Sequence, residues 1–477
     1  MSNISKEEDK KDTDMWKKWK KKFIGDKNFY KMVLMIAVPI MIQNGITNFV
    51  NLLDNIMVGQ IGTVQMSGVA IVNQLIFVYN LCIFGGLSGA GIFTAQYFGQ
   101  KDEEGIRNTF RFKIWIAVII TILAVTIFLC AGPELISLYL NDGDPSELLA
   151  TLEYGKTYLQ IMLLGLPGFM IVQIYSSTLR ECGETMTPMK AGIAAVLVNL
   201  VFNYLLIYGK FGFPKLGVAG AAIATVLSRY VEAGIVVGWT HLNKEKNSFI
   251  VGLYRTMKIP ASLVKNIIIK GTPLLLNETL WSIGMAALAQ CYSMRGLKVV
   301  AAVNISNTIS NLFNVVFYAM GNSVAIIVGQ LLGAGKMEEA RDTDNKLIVF
   351  SVVLCIGVAL VMAAFAPFFP KLYNTEEAAR QLATGFIILQ AVFMPQFAYL
   401  HAVYFTLRAG GKTLVTLFLD SVYICLVSVP IAFVLSRFTS LSVLLIFALV
   451  QMGDWIKCII GFILVKKGVW VHNIISE

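Results

Sequence analysis

Apolar runs long enough to cross a lipid bilayer follow one another along almost the whole of this sequence, and no other feature narrows its fold so far. A hydrocarbon core of about 30 Å takes ~20 apolar residues in a helix. Inside it every backbone polar group must be bonded within the protein, so runs of this length read as helices. Only 14% of the 477 residues are charged, against about 25% in soluble domains, whose surfaces face water. With 56% hydrophobic residues and a mean hydropathy of +0.69, the chain cannot cover a water-facing surface. The sequence predicts an all-α polytopic membrane protein.

Breaks at charged and Gly/Pro positions place helices near 31–57, 67–96, 113–132, 155–180, 188–209 and 217–240. A second set falls near 267–292, 299–328, 347–369, 381–406, 414–436 and 441–465. Twelve spans put both termini on one side. With that side cytoplasmic, the inner segments hold 29 Lys and Arg and the outer loops 8, the asymmetry the positive-inside rule expects. Lys101, Arg107, Arg111 and Lys113 read as the loop after the second helix, and Glu134, Asp142, Asp144 and Glu147 as the outer loop after the third. The expected organisation is a basic cytoplasmic tail at 1–30, a six-helix lobe at 31–240, a cytoplasmic linker at 241–266, a second lobe at 267–466 and a cytoplasmic tail at 467–477. The linker carries Lys244, Lys246, Arg255, Lys258 and Lys265.

The net charge of +10 is concentrated at one end: ten of the 39 Lys and Arg lie in residues 1–31. The segment from Met15 to Phe23 alternates Trp or Phe with Lys, which suits an interfacial anchor on anionic lipid rather than a nucleic-acid arm. The first apolar helix is too long for a signal peptide and has no A-x-A site behind it, so it is expected to stay attached. Cys82, Cys130, Cys182, Cys291, Cys355, Cys425 and Cys458 have no C-x-x-C spacing and read as small core residues, not as a metal cluster or disulfide framework.

The two halves match without a gap over their first two helices, at the one constant offset that carries Pro39 onto Pro273. In the same register Asn73 pairs with Asn307, Asn80 with Asn314, Gln96 with Gln330, Gly99 with Gly333 and Arg107 with Arg341. A second block matches at a slightly shorter offset: Pro167 with Pro395, Thr178 with Thr406, Arg180 with Arg408, Gly183 with Gly411 and Thr185 with Thr413. Polar and conformationally special residues do not align this way through apolar composition alone. Six helices per unit is an even number, so the halves form a parallel tandem repeat related by an axis along the membrane normal. Two pseudo-symmetric six-helix lobes around a central cleft is the expected assembly.

On helix 1, Gln43, Asn44, Thr47, Asn48, Asn51, Asp54 and Asn55 fall within an arc of roughly 140° at about 100° per residue. Helix 8 carries Asn304, Asn307, Asn311 and Asn314 at helical spacing. Buried amides must be hydrogen-bonded or wet, and these stripes read as the lining of a hydrated lumen, interhelical glue being the alternative. Asp54 has no basic residue within two helical turns along the sequence, so it meets a cation or takes up a proton when desolvated. Glu278 on helix 7 is isolated in the same way. Arg229 with Glu232, and Asp454 with Lys457, stand three apart and read as self-paired. Asp420 is open, and His401 reads as a hydrogen-bonded structural side chain.

Soluble chemistry is not visible. TLRAGGKTLV contains Gly411, Lys412 and Thr413, but a P-loop needs Gly where Thr406 stands. There is no H-E-x-x-H, G-x-S-x-G or clustered acidic motif. The reading is a non-enzyme without a cofactor, whose transport is driven by an ion gradient or a partner.

The string VPIMIQN followed by LLDNIMVG, the segment AQYFGQKDEEGIRNT, its partner GQLLGAGKMEEAR, and STLRECGETMTP with TLRAGGKT resemble the multidrug and toxic compound extrusion (MATE) family of cation-coupled exporters. The resemblance covers about residues 30–466. It implies that Asp54 belongs to a cation site in the N-terminal lobe, as a metal ligand if the coupling ion is Na⁺. Asn199 and Asn203 match the family's N-x-x-x-[DN] string and Thr225 a following threonine. One branch of the family has a helix 10 aspartate where Phe397 stands here, and its helix 7 glutamate lies eight residues past the proline, whereas Glu278 lies five past Pro273.

The expected function is secondary active export of amphiphilic or cationic organic compounds by antiport with Na⁺ or H⁺, by a monomer in the plasma membrane. Asn44, Asn48, Asn51, Glu278, Asn304, Asn307, Asn311 and Asn314 would line the substrate cleft. Pro39 and Pro273 would serve as hinges, because proline removes a backbone hydrogen bond. A flippase of lipid-linked sugars is the alternative on the same fold, though several cleft Arg or Lys would be expected for pyrophosphate. A channel or a passive structural membrane protein is a third reading.

Overall fold

The computed structural model describes residues 23–140, 144–373 and 375–476. Within its helices the side chains at 51, 52, 55 and 297 lie outside that description, as do Asp142 and all but Phe23 of the proposed basic anchor. Among the described residues the apolar runs become thirteen helices. The first seven are α1 (Lys27–Gly59), α2 (Thr63–Gln100), α3 (Glu103–Ser137), α4 (Pro145–Leu163), α5 (Leu166–Glu181), α6 (Met186–Tyr208) and α7 (Val218–Leu242). They are followed by α8 (Ala261–Ser293), α9 (Leu297–Gly333), α10 (Met337–Phe365) and α11 (Glu377–Ala409). Last come α12 (Thr413–Phe438) and α13 (Val443–Lys467).

Ten helices among the described residues are long and apolar enough to cross a membrane, and eleven if the bent pair α4 and α5 is one span. The expectation of twelve spans differs by α8. That helix has 33 residues, but Lys265, Lys270, Asn277 and Glu278 dilute its hydropathy. The tandem repeat is written into the helix boundaries: α1 and α8, α2 and α9, and α3 and α10 begin at the same offset that relates Pro39 to Pro273.

Three sequence readings are modified. The fourth span, expected at 155–180, begins at Pro145 and bends by 48° between α4 and α5. Leu164 and Gly165 interrupt it, and Pro167, in the first turn of α5, has no N–H to continue the ladder. Its repeat partner Pro395 lies inside α11, which runs unbroken where Phe393 replaces Gly165. Of the charged residues expected in the loop after the second helix, only Lys101 lies between helices. Asp102 caps α3 by accepting from the Gly105 N–H at 3.0 Å, so Arg107, Arg111 and Lys113 stand on the first turns of α3, the last two buried. Finally, α12 contains two π-helical segments, Phe418–Val422 and Ile424–Ser428.

By packing, the chain divides into two compact units: Ile42–Thr279, and Met1–Met41 with Leu280–Glu477. These differ from the repeat lobes 31–240 and 267–466 because α1 and α8 each divide within their length. Val33 and Ala37 belong to a core with Met320 and Val324 of the second unit. In the first unit, α8 crosses α2 so closely that a Cβ on Gly89 would stand 2.5 Å from the Gly271 Cα. Lipid offers no hydrophobic drive for helix pairing, and small residues that let backbones approach replace it.

The linker at 241–266 is folded onto the first unit. Phe249, Ile250 and Leu253 are buried in its core, the buried Arg111 donates to the Leu253 carbonyl at 3.0 Å, and Trp115 Nε1 donates to the Met257 carbonyl at 3.2 Å. The second unit ties down its C-terminal segment similarly. Trp470 is buried, and its carbonyl oxygen occupies the place where a Cβ on Gly410 would stand.

Gly89→Val should cost about 1–3 kcal/mol through overpacking, read as a lower thermal unfolding temperature in detergent. Gly45→Ala, whose Cβ meets nothing within 4 Å, should leave that temperature unchanged. Equal losses in both variants would show that the α2–α8 crossing is not limiting.

Candidate ion site

Asp54 stands in the last turns of α1, within the first unit, and is half-buried. Facing it from α6 are Asn199 and Asn203, one helical turn apart and both buried. Thr225 approaches from α7. Asn203 Nδ2 donates to Asp54 Oδ1 at 2.6 Å. With the Asn199 amide turned so that its nitrogen faces the acid, Nδ2 stands 2.9 and 3.2 Å from the two Asp54 oxygens, and the Thr225 hydroxyl donates to the freed Oδ1 at 3.3 Å. The structure thus brings together all four residues that the resemblance implied.

The surroundings decide what this carboxylate can do. Arg229 on α7 lies within electrostatic range of Asp54, but its Nη1 is spent on Glu232 at 3.1 Å, the self-pairing read from the sequence. Among the described residues no ion pair is made to Asp54. Two amide donors hold its oxygens without neutralising them. Beside it, the Asn203 Oδ1 is buried and has no hydrogen-bond donor, which costs about 1–3 kcal/mol unless something meets it. A carboxylate next to an orphaned amide oxygen and a hydroxyl is a donor set of the kind hard cations take. Among the described residues no three His, Cys, Asp or Glu side chains converge on a common centre, so the acid supplies one formal charge and its neighbours only neutral oxygens.

Two residues close to the site escaped the sequence reading. Tyr158 on α4 is buried and its hydroxyl donates to Asn73 Oδ1 on α2 at 3.3 Å; Asp54 lies within electrostatic range of that phenol. Asn73 had a signal in its repeat partner Asn307. Tyr158 had none, being one of two tyrosines on its helix. Nearer the start of α1, Arg180 Nη2 donates to Gln43 Oε1 at 2.9 Å, tying the repeated Leu-Arg motif to the polar stripe of that helix.

The remaining candidates divide by unit. Asn44, Asn48 and Glu278 are half-buried in the first unit, and the side chain of Asn51 lies outside the description. In the second unit Asn304, Asn307 and Asn311 are exposed along one stripe of α9, with Asn314 half-buried. Gln390 on α11 approaches Asn307 at 3.5 Å and also bonds Ser310. Pro39 and Pro273 lie inside continuous helices. Lys457 pairs with Asp454 at 3.1 Å. His401 is enclosed by the rings of Phe317, Tyr318, Tyr404 and Phe405. All seven cysteines are free, with Cys291, Cys355 and Cys458 buried and Cys130 exposed.

The MatE family profile matches residues 39–205 and again residues 273–434, one match in each half of the repeat. The chain belongs to the MatE family. It is a membrane transporter rather than an enzyme. A probable multidrug resistance protein NorM from Thermotoga maritima is 25% identical over 91% of this chain and 89% of its own. Among solved structures, a MOP superfamily transporter from Pyrococcus furiosus superposes with a TM-score of 0.80 at 21% identity, covering 93% of this chain and 96% of that one. A variant of the Vibrio cholerae MATE transporter VcmN superposes with a TM-score of 0.83 at 19% identity, covering 94% and 99%. At these identities the structures establish the shared MATE fold.

Asn203→Leu removes the 2.6 Å donor to Asp54, and a hydrogen bond to a charged group is worth about 1.5–3 kcal/mol. Proton affinity at Asp54, read as proton-dependent thermal stabilisation of the purified protein, should rise about tenfold or more, because the empty carboxylate loses a donor that stabilises it. Asn307→Ala in the other unit should not change it. Unaltered ion dependence in Asn203→Leu would remove α6 from the site.

Proposed function

We propose that this protein exports amphiphilic or cationic organic compounds across the plasma membrane, exchanging them for Na⁺ or H⁺ bound at Asp54. The observation that carries the reading is a half-buried carboxylate on a membrane helix, met by two amide nitrogens and, among the described residues, in no ion pair with a cation. A group in that state is stabilised by whichever cation reaches it, and its charge changes when the ion leaves. Asn199, Asn203 and Thr225 orient the carboxyl and supply neutral oxygens. The relatives named as multidrug resistance proteins support the cargo class, and the exposed amides of Asn304, Asn307 and Asn311 suit uncharged or cationic amphiphiles better than pyrophosphates.

Each positive charge moving inward gains about 2.3 kcal/mol per 100 mV of membrane potential. Ion binding at Asp54 biases the transporter towards releasing substrate, and ion release resets it. Alternating access of the two tandem halves, bending at or near Pro39 and Pro273, is the accompanying motion, with both termini cytoplasmic and a single protomer sufficient.

Reconstituted into liposomes, the protein should extrude a cationic dye when a Na⁺ gradient or a proton gradient is imposed, with flux that saturates. Asp54→Asn should reduce this to background while the purified variant keeps its elution profile. Full efflux in Asp54→Asn would overturn the reading. Flux that neither saturates nor requires a gradient would assign a channel instead.

A further inference from the structure

From Lys246 to Asn277 the chain carries Lys246, Arg255, Lys258, Lys265 and Lys270 and no acid. Arg255, Lys258 and Lys265 are exposed. Among the described residues none of the five takes part in an ion pair. Basic residues left without acids beside a membrane span attract the phosphates of anionic lipid.

The same segment carries a groove of about 530 Å³, lined by Ile259, Ala261, Val264, Lys265, Ile268 and Ile269. On α8 these positions recur at helical spacing and share one face, and Lys265 is the one charged residue among them. Ile268 and Ile269 are exposed. The linker end of the groove is fixed in place, since Arg111 holds the Leu253 carbonyl and Trp115 Nε1 donates to the Met257 carbonyl at 3.2 Å. Trp115 is itself exposed and heads a stripe of exposed Ile119 and Ile122 on α3. Tryptophan settles at the membrane–water interface, which puts Lys258, next to Met257, at the level of the lipid headgroups. Ile268 and Ile269 follow at acyl depth along α8. Lys265 stands between the two levels, where a lysine keeps its stem against apolar surface and turns its ammonium to the headgroups.

The repeat supplies a contrast. In the register that pairs Pro39 with Pro273, Lys265, Ile268 and Ile269 correspond to Lys31, Leu34 and Met35, which are exposed as well. Val264 corresponds to Tyr30, whose ring packs against Phe350 at 4.9 Å between centroids. An aromatic ring of the protein takes up space at that position of α1; valine leaves it open on α8. We propose that the groove on α8 is a binding site for an anionic phospholipid of the leaflet on the linker side. One acyl chain lies along Val264, Ile268 and Ile269, and the phosphate is met by Lys258 and Lys265. The site is separate from Asp54 and does not depend on what the protein exports.

Native mass spectrometry of the full chain, purified in detergent with equal parts of phosphatidylglycerol and phosphatidylcholine, tests this. The wild type should retain phosphatidylglycerol in preference, and added inorganic phosphate should not displace it. The double variant Lys258→Gln, Lys265→Gln should bind it about tenfold more weakly or worse. A second double variant, Lys298→Gln with Lys336→Gln, loses the same net charge at exposed positions of the other unit and should bind as the wild type does. Val264→Trp fills the groove without changing any charge, and it should lower retention too. Equal retention of the two lipids by the wild type, equal losses in the two double variants, or full retention in Val264→Trp would overturn the proposal. So would a dimer that Val264→Trp dissociates, which would make a second copy of the chain the occupant.

Discussion

A charged side chain withdrawn from water must find a partner, a proton or an ion, and the buried charges of this chain are met in different ways. Lys113 finds Glu181 and two hydroxyls. Arg229 and Lys457 find acids three residues away on their own helices. Asp344 accepts from the hydroxyl of Thr406. Asp54 alone among these is met by amides that stabilise its charge without cancelling it, and it is half-exposed where Asp344 and Lys113 are sealed. On the proposed function, partial access combined with incomplete neutralisation is what suits Asp54 to exchanging an ion.

The tandem repeat makes the comparison sharper, since helix frames are kept while charges are not. The last helix of each half begins at Val218 and at Val443. Counted from those starts, Arg229 and Glu232 fall level with Asp454 and Lys457. The pair survives with its polarity reversed, because an ion pair within one helix satisfies itself in either order and leaves the packing around it unchanged. Thr178 and Thr406 likewise keep their hydroxyls while the partner changes from an ammonium to a carboxyl group. At Asp54 the second half has Leu288, packed in an apolar core. Duplication supplied two scaffolds, and only one has an acid at this position.

What the sequence disclosed follows from which signals are local. Helix type, the repeat offset and the polar stripe of α1 depend on periodicity, and all were legible. Asp54, Asn199, Asn203 and Thr225 were recoverable through resemblance, because each sits in a short string that specifies its helix. Tyr158 was not, since its importance comes from where α4 places it and not from its neighbours in the chain. Charge misled in one respect: Arg111 and Lys113 look like loop residues, yet a buried cation is stable when carbonyls, hydroxyls and a carboxylate surround it, and composition cannot anticipate such a set.

The division into packing units shows the same limit at larger scale. A repeat is a statement about ancestry of sequence, and it sets the lobes at the linker. Packing answers instead to which surfaces fit. Val33, Ala37 and Ile40 pack against helices of the second half, and their repeat partners Ile267, Gly271 and Leu274 lie where α8 crosses α2 of the first. The exchange occurs just beyond Pro39 and Pro273, at Met41 and Thr279. A helix that passes from one unit to another a short way past a proline must bend or strain if those units ever move, and proline is where a helix yields with least loss of hydrogen bonding. The two prolines therefore lie two and six residues before the points, after Met41 and Thr279, where covalent continuity and packing part company.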